Sequence, residues 1–174
     1  MERVQVMKTP QGSQKQIQIR SILQPGDIGY VTYLHGILYA EEYGWDHTFE
    51  GYVAAGLAQF AQSFDPHKDC LWIAEMDGRI VGSISIVGQP DSEAQLRWFL
   101  VHPACRGRGL GRTLLHEALQ FCRDRGFKSV FLWTVSDLKA SAHLYQSVGF
   151  RKTEQKTHQI WGRTLTEERY DLSI

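Results

Sequence analysis

The stretch with the most chemical content is Arg106-Gly107-Arg108-Gly109-Leu110-Gly111-Arg112. Three glycines let a backbone approach a ligand closely, and three arginines add positive charge. The stretch lies between an apolar, strand-like run and a helix-like one. The first N–H groups of a helix have no intrahelical partner, and the helix dipole is positive there. Such a loop suits a pyrophosphate, although a glycine-rich turn with solubilising arginines fits the same residues. It lacks the Gly-Lys-Ser/Thr ending of a P-loop. A dinucleotide fold would place its glycines after an early strand, with an acid about 20 residues on. Here that position falls in Arg125-Gly126-Phe127-Lys128, which has no acid.

Charge is segregated along the chain. Lys plus Arg and Asp plus Glu are 19 each, so the net charge is zero. Yet residues 21–67 hold no Lys or Arg and six acids, while 102–128 hold six bases against Glu117 and Asp124. The pattern suits one region built for an anion and another for a cation, or solvated faces alone. A nucleic-acid binder would be basic overall, so none is expected as a partner. His116-Glu117 begins like a zinc helix, but residue 120 is Gln and the second ligand is missing, so no metal is expected. Cys70, Cys105 and Cys122 are odd in number and far apart, which excludes a disulfide framework. Cys105 beside the loop has no evident partner for covalent catalysis. No secretory leader and no membrane span are read, so a reducing, cytoplasmic setting is expected.

The elements that would position these residues follow from periodicity. Residues 1–15 read as a flexible tail and 16–174 as one domain. Gln16–Leu23 reads as a strand, and Asp27 as the N-cap of a helix carrying Ile28, Val31, Leu34 and Leu38. A second helix runs from about Thr48 to Ser63. Cys70–Glu75 and Arg79–Val87 form a hairpin around Asp77-Gly78. Glu93–Val101 is a further strand. A helix from Gly109 buries Leu110, Leu114, Leu115, Ala118, Leu119 and Cys122. Ser129–Thr134 reads as a strand covered on both faces. Asp137 would cap a helix to Val148, and two strands, Arg151–Ile160 and Leu165–Leu172, close the chain. The class is α/β around a mixed sheet.

With these elements in order, the sequence resembles the acyl-CoA-dependent N-acetyltransferases of the GNAT superfamily. The match rests on Val101-His102-Pro103 followed by Arg106-x-x-Gly109-x-Gly111, and on Leu144-Tyr145-x-x-x-Gly149-Phe150. The run Tyr39-Ala40-Glu41-Glu42-Tyr43-Gly44-Trp45 also looks like the acetyltransferase half of bacterial winged-helix/GNAT fusions. The resemblance implies a mostly antiparallel mixed sheet flanked by about four helices. It implies acetyl-CoA as co-substrate, with its pyrophosphate on Arg106, Gly107, Arg108, Gly109, Leu110, Gly111 and Arg112. Its pantetheine would pair with Phe99, Leu100 and Val101, whose backbone could equally continue the sheet.

The resemblance makes Tyr145 the general acid for the leaving thiolate, although Leu138, Ala142 and Tyr145 share a helix face and periodicity alone makes Tyr145 core. It implies transfer to a primary amine, with a non-catalytic acyl-CoA sensor as the alternative. Where some family members carry a glutamate base this chain has Gln95, and where an Asn is common it has Leu138. Glu41, Glu42, Glu93, His102 and His158 are candidate bases. The first two helices would flank the acceptor entrance. There Tyr39, Glu42 and Trp45 offer acid and aromatic faces to a small cationic amine. A homodimer is left open.

Overall fold

The computed structural model describes residues 16–174. The tail expected at 1–15 lies outside the described residues. The elements follow the order expected: β1 Gln18–Arg20, α1 Asp27–Tyr43, α2 His47–Gln62, β2 Cys70–Met76, β3 Arg79–Gly88, β4 Glu93–Val101, α3 Leu110–Asp124, β5 Ser129–Val135, α4 Lys139–Ser147, β6 Arg151–Ile160 and β7 Arg163–Ser173. The strands form a single sheet in the order β1-β2-β3-β4-β5-β7-β6. β4 and β5 run parallel, and every other neighbouring pair is antiparallel. The apolar stripe of α3 and the buried face of α4 cover one side of the sheet. The apolar faces of α1 and α2 cover the other. No helix among the described residues is long and apolar enough to cross a membrane.

Three expectations are corrected. Asp27 does not cap α1; Gly26 holds that position, with φ 97. Asp27 sits in the first helical turn, buried, and accepts hydrogen bonds from Arg20 Nη1 at 2.8 Å, Arg20 Nη2 at 2.7 Å and the Gln24 N–H at 2.7 Å. The guanidinium, also bound to Glu75, ties α1 to the edge of the sheet. Asp137 does not cap α4, which starts at Lys139 with Leu138 at the N-cap. Finally, β5 is not covered by helices on both faces. Val130 and Leu132 enter the α3 core, while Phe131 and Trp133 stay half-buried under Arg169 and Lys156, at 4.2 and 4.8 Å from the ring centroids.

The sheet is irregular at its centre. Ser83 pairs with Leu100, but Ser85 pairs with Arg97, so β4 carries one extra residue opposite Ile84. This is a β-bulge, and Trp98 takes φ 47, a value that bulky side chains rarely adopt. Two buried hydroxyls hold the distortion. Ser83 donates to the Trp98 carbonyl at 2.7 Å, and Ser85 to the Arg97 carbonyl at 3.1 Å. The extra residue reverses which side chains face which layer. Before it, Ala94 and Leu96 enter the α3 core; after it, Trp98 and Leu100 enter the α1/α2 core, and Phe99 and Val101 pack toward α3. Beyond the bulge β4 also parts from β5. Their pairing is confined to Glu93 with Ser129, Ala94 with Val130 and Gln95 with Phe131. The two strands then diverge and leave a gap in mid-sheet.

Ser83→Ala should leave the buried Trp98 carbonyl without its donor and destabilise the protein by about 1–3 kcal/mol. Urea unfolding should show a lower midpoint at unchanged slope. The Asp27 carboxyl gives a second test. Burial pushes its pKa up, but the Arg20 and Gln24 hydrogen bonds outweigh this and hold it below the usual value. A depressed folded pKa contributes stability above the ordinary carboxylate range, and that contribution is lost as pH falls through the folded value. The stability of Asp27→Asn should therefore decline less than wild type between pH 5 and pH 2, on the order of the range where an Asp titrates, when melting temperatures are compared across that window.

Candidate active site

The gap between β4 and β5 opens into two cavities. The first, of about 270 Å³, lies where the end of β4 meets the start of α3 and the face of α4. Of the residues expected to hold a carrier, Phe99, Leu100, Val101, Arg106, Gly107, Gly109, Leu110 and Gly111 line it. Gly107 and Gly109 have φ 71 and 82, and a Cβ at either would touch no protein atom within 4 Å. Backbone conformation, not crowding, demands glycine at these two positions. Gly111 differs. Its Cβ would meet Leu144, Phe99 and Val101 at 3.5–3.6 Å, ordinary contact distances.

The arginines divide in role. Arg106 donates from Nε to the Val101 carbonyl at 2.9 Å, and from both terminal nitrogens to the Glu42 carboxylate at 2.6 and 2.7 Å. This fork-on-carboxylate geometry and the Nε bond use all three guanidinium nitrogens, so Arg106 braces the loop against α1. The Glu42 hydrogen bonds outweigh partial burial and raise the Arg106 pKa. Arg108 and Arg112 are exposed, do not line the cavity, and make no ion pair among the described residues. Glu42 therefore lies at the first cavity, beside the loop, and not in the aromatic region where the sequence suggested an acid for an amine.

The second cavity, of about 110 Å³, lies between the α1/α2 layer and the parted strands. Four of the chain's five tryptophans line it: Trp45, Trp98, Trp133 and Trp161. Trp45 is buried, with ring centroids of Tyr39, Phe49 and Trp161 at 4.9, 4.7 and 4.6 Å. Tyr39, Phe99, Leu138 and Ser141 line both cavities and form the wall between them. Tyr145 belongs to the α3/α4 core, yet lines this second cavity through the gap in the sheet. Its ring is fixed among Phe99, Phe150 and Tyr170, at 5.9–6.3 Å. Its hydroxyl has no hydrogen-bond partner among the described residues. Burial, with a smaller contribution from Tyr39, pushes its pKa up, so it keeps its proton at neutral pH.

The candidate bases are mostly engaged elsewhere. Glu93 pairs with Arg169 at 3.2 Å. His102 Nδ1 accepts the Ala104 N–H at 3.2 Å and steadies the turn before the loop. Glu41 is exposed and lines neither cavity. His158 Nε2 lies 2.6 Å from Glu167 Oε2, and Glu167, not His158, lines the second cavity. Sequence reasoning missed Glu167 and His35, both at this cavity. The spacing of His35, Tyr39 and Glu42, at i, i+4 and i+7, was the available signal for His35.

Comparison with known proteins agrees with this geometry. The profile described as "Acetyltransferase (GNAT) family" matches residues 31–150. Human N-acetyltransferase 8B is 34% identical over 101 residues, covering 55% of this chain and 44% of that protein. Rat N-acetyltransferase family 8 member 3 is 32% identical over 129 residues, covering 71% and 57%. The chain thus spans about half the length of these relatives. Among solved structures, a Salmonella typhimurium protein determined with its cofactor acetyl-CoA superposes with a TM-score of 0.70 at 21% identity, covering 91% of this chain and 94% of that one. At that identity the likeness speaks for the fold. Fold, loop and profile agree: the chain belongs to the acetyltransferase (GNAT) family.

Proposed function

We propose that this protein transfers an acetyl group from acetyl-CoA to a primary amine, with Tyr145 as general acid. The observation that carries the reading is the meeting of two cavities at the β4/β5 gap, with Tyr145, its hydroxyl unpartnered among the described residues, lining the second beside the shared-wall residue Phe99. The pyrophosphate would lie on the first-turn N–H groups of α3, with Arg108 and Arg112 supplying long-range positive potential. The pantetheine arm would run along Phe99–Val101, where β4 has left β5. The thioester would then sit at the wall shared by Tyr39, Phe99, Leu138 and Ser141. An amine in the second cavity, having given its ammonium proton to solvent, attacks the thioester carbonyl through its nitrogen lone pair. The C–N bond forms, the C–S bond breaks, and Tyr145 gives its proton to the departing thiolate. The proton lost from the amine nitrogen returns through solvent to the phenolate.

The acceptor is a small cationic amine in this reading. Its ammonium form would be drawn by the faces of Tyr39, Trp45 and Trp161, with the Glu167 carboxylate lining the same cavity, since Arg97 and Lys156 already lie over Trp98 and Trp133. Glu42 acts at one remove, through Arg106 and the loop.

A panel of amines screened for acetyl-CoA-dependent thiol release tests the reading. Binding without thiol release for every amine would leave a sensor in its place. In that panel Tyr145→Phe should lower kcat by about 10²–10⁴-fold while acetyl-CoA affinity holds. Turnover at the wild-type rate would return Tyr145 to a packing role. Gly111→Ala separates fold from ligand. Its methyl fits the protein, so the melting temperature of the free variant should match or slightly exceed wild type. The same methyl projects into the first cavity, and calorimetry should show acetyl-CoA binding weakened by about tenfold or more.

A further inference from the structure

One stripe of α1 crosses both cavities. Glu42 meets the loop, Tyr39 forms part of the shared wall, and His35, one turn deeper, lines the second cavity. The His35 ring is buried, stacks on Tyr39 at 5.8 Å with planes 3° apart, and meets Phe49 at 6.4 Å. Its Nδ1 lies 2.8 Å from the Val31 carbonyl oxygen. A carbonyl can only accept, so Nδ1 must carry a proton, and in the neutral ring the lone pair is then on Nε2. Nε2 has no hydrogen-bond partner among the described residues. The helix backbone thus fixes the tautomer, and the aromatic neighbours fix the ring plane.

Resting on the acetyltransferase reading above, we propose that His35 positions the acceptor amine by accepting one of its N–H groups at Nε2. With that N–H engaged, the nitrogen lone pair is free to turn toward the thioester. Burial pulls the ring pKa down to about 4, outweighing the Val31 hydrogen bond that favours the charged ring. The ring is therefore neutral at physiological pH and its acceptor site stays open. The same weak basicity excludes storage of the ammonium proton, because an ordinary amine holds a proton about six pH units more tightly. His35 is thus a positioning residue. The other titratable groups at the cavity are Tyr39, Tyr52, Tyr145, Arg97 and Glu167. The tyrosine hydroxyls and Arg97 can donate hydrogen bonds, and Glu167 Oε2 is held by His158 and Lys156.

Three measurements test this. His35→Phe keeps a ring and removes both nitrogens. It should raise KM for the amine about tenfold, the scale of one lost buried hydrogen bond, with KM for acetyl-CoA unchanged. His35→Gln, whose amide oxygen can accept, should recover part of the loss. In the wild-type protein, nitrogen-15 NMR of the imidazole should show Nε2 at the position of an unprotonated nitrogen. That resonance should move on titration with benzylamine or putrescine. A protonated Nε2, a resonance unmoved by either amine, or equal losses for amine and acetyl-CoA in His35→Phe would each overturn the proposal. Failure of the wild type to release thiol with any amine would instead overturn the enzymatic reading, and the NMR titration would still judge His35.

Discussion

The carbonyls of Arg97 and Trp98 lie at the irregularity in the β3–β4 ladder, and two serine hydroxyls donate to them. An unsatisfied buried carbonyl is costly, so Ser83 and Ser85 make the bulge tenable in the middle of a sheet. The bulge in turn exchanges the two faces of β4. Phe99 and Val101 come to line the first cavity, and Trp98 is sent to the opposite layer. Past the bulge β5 no longer accompanies β4, and the gap admits Tyr145 from one layer to a cavity bounded by the other. The facing of Phe99 and Val101, the place of Trp98 and the opening beside β5 meet at that one local distortion.

The second constraint is electrostatic. The acid-only stretch 21–67 and the basic stretch 102–128 meet where Glu42 grips Arg106. Part of the charge segregation is therefore satisfied inside the protein. The pair is half-exposed and its net contribution to stability is modest. Its geometry has more consequence than its energy, because it joins the helix of the second cavity to the loop of the first. Glu42 is balanced here by protein, and Arg97 and Lys156 already lie over Trp98 and Trp133 of the second cavity.

Much of this was legible in the sequence where one residue type has one physical use. Glycines before an amphipathic helix announced the loop, and β4 was read with its observed limits. The bulge was not legible. Buried residues alternate along β4 without a break, through Ala94, Leu96, Trp98 and Leu100, so a period of two conceals that they face two different layers. Asp27 was read as a cap because local rules place acids at helix starts, whereas Arg20 on a strand claims it. Glu42 looked free because its partner lies 64 residues away. His35 escaped notice because its meaning comes from a backbone carbonyl and a cavity, and neither leaves a mark in composition.

The three-pair contact between β4 and β5 also has a kinetic consequence. Strands at the centre of a large sheet are ordinarily its slowest to exchange amide hydrogens with solvent, since exposing them requires extensive unfolding. Here the amides of residues 96–101 that point away from β3 belong to a central strand yet face no neighbouring strand. They form an edge placed inside the sheet, and freeing them takes no breaking of a β4–β5 ladder. The protein thus keeps unpaired amides in a strand at the centre of its sheet, and an extended molecule lying in the gap would slow their exchange as a missing strand would.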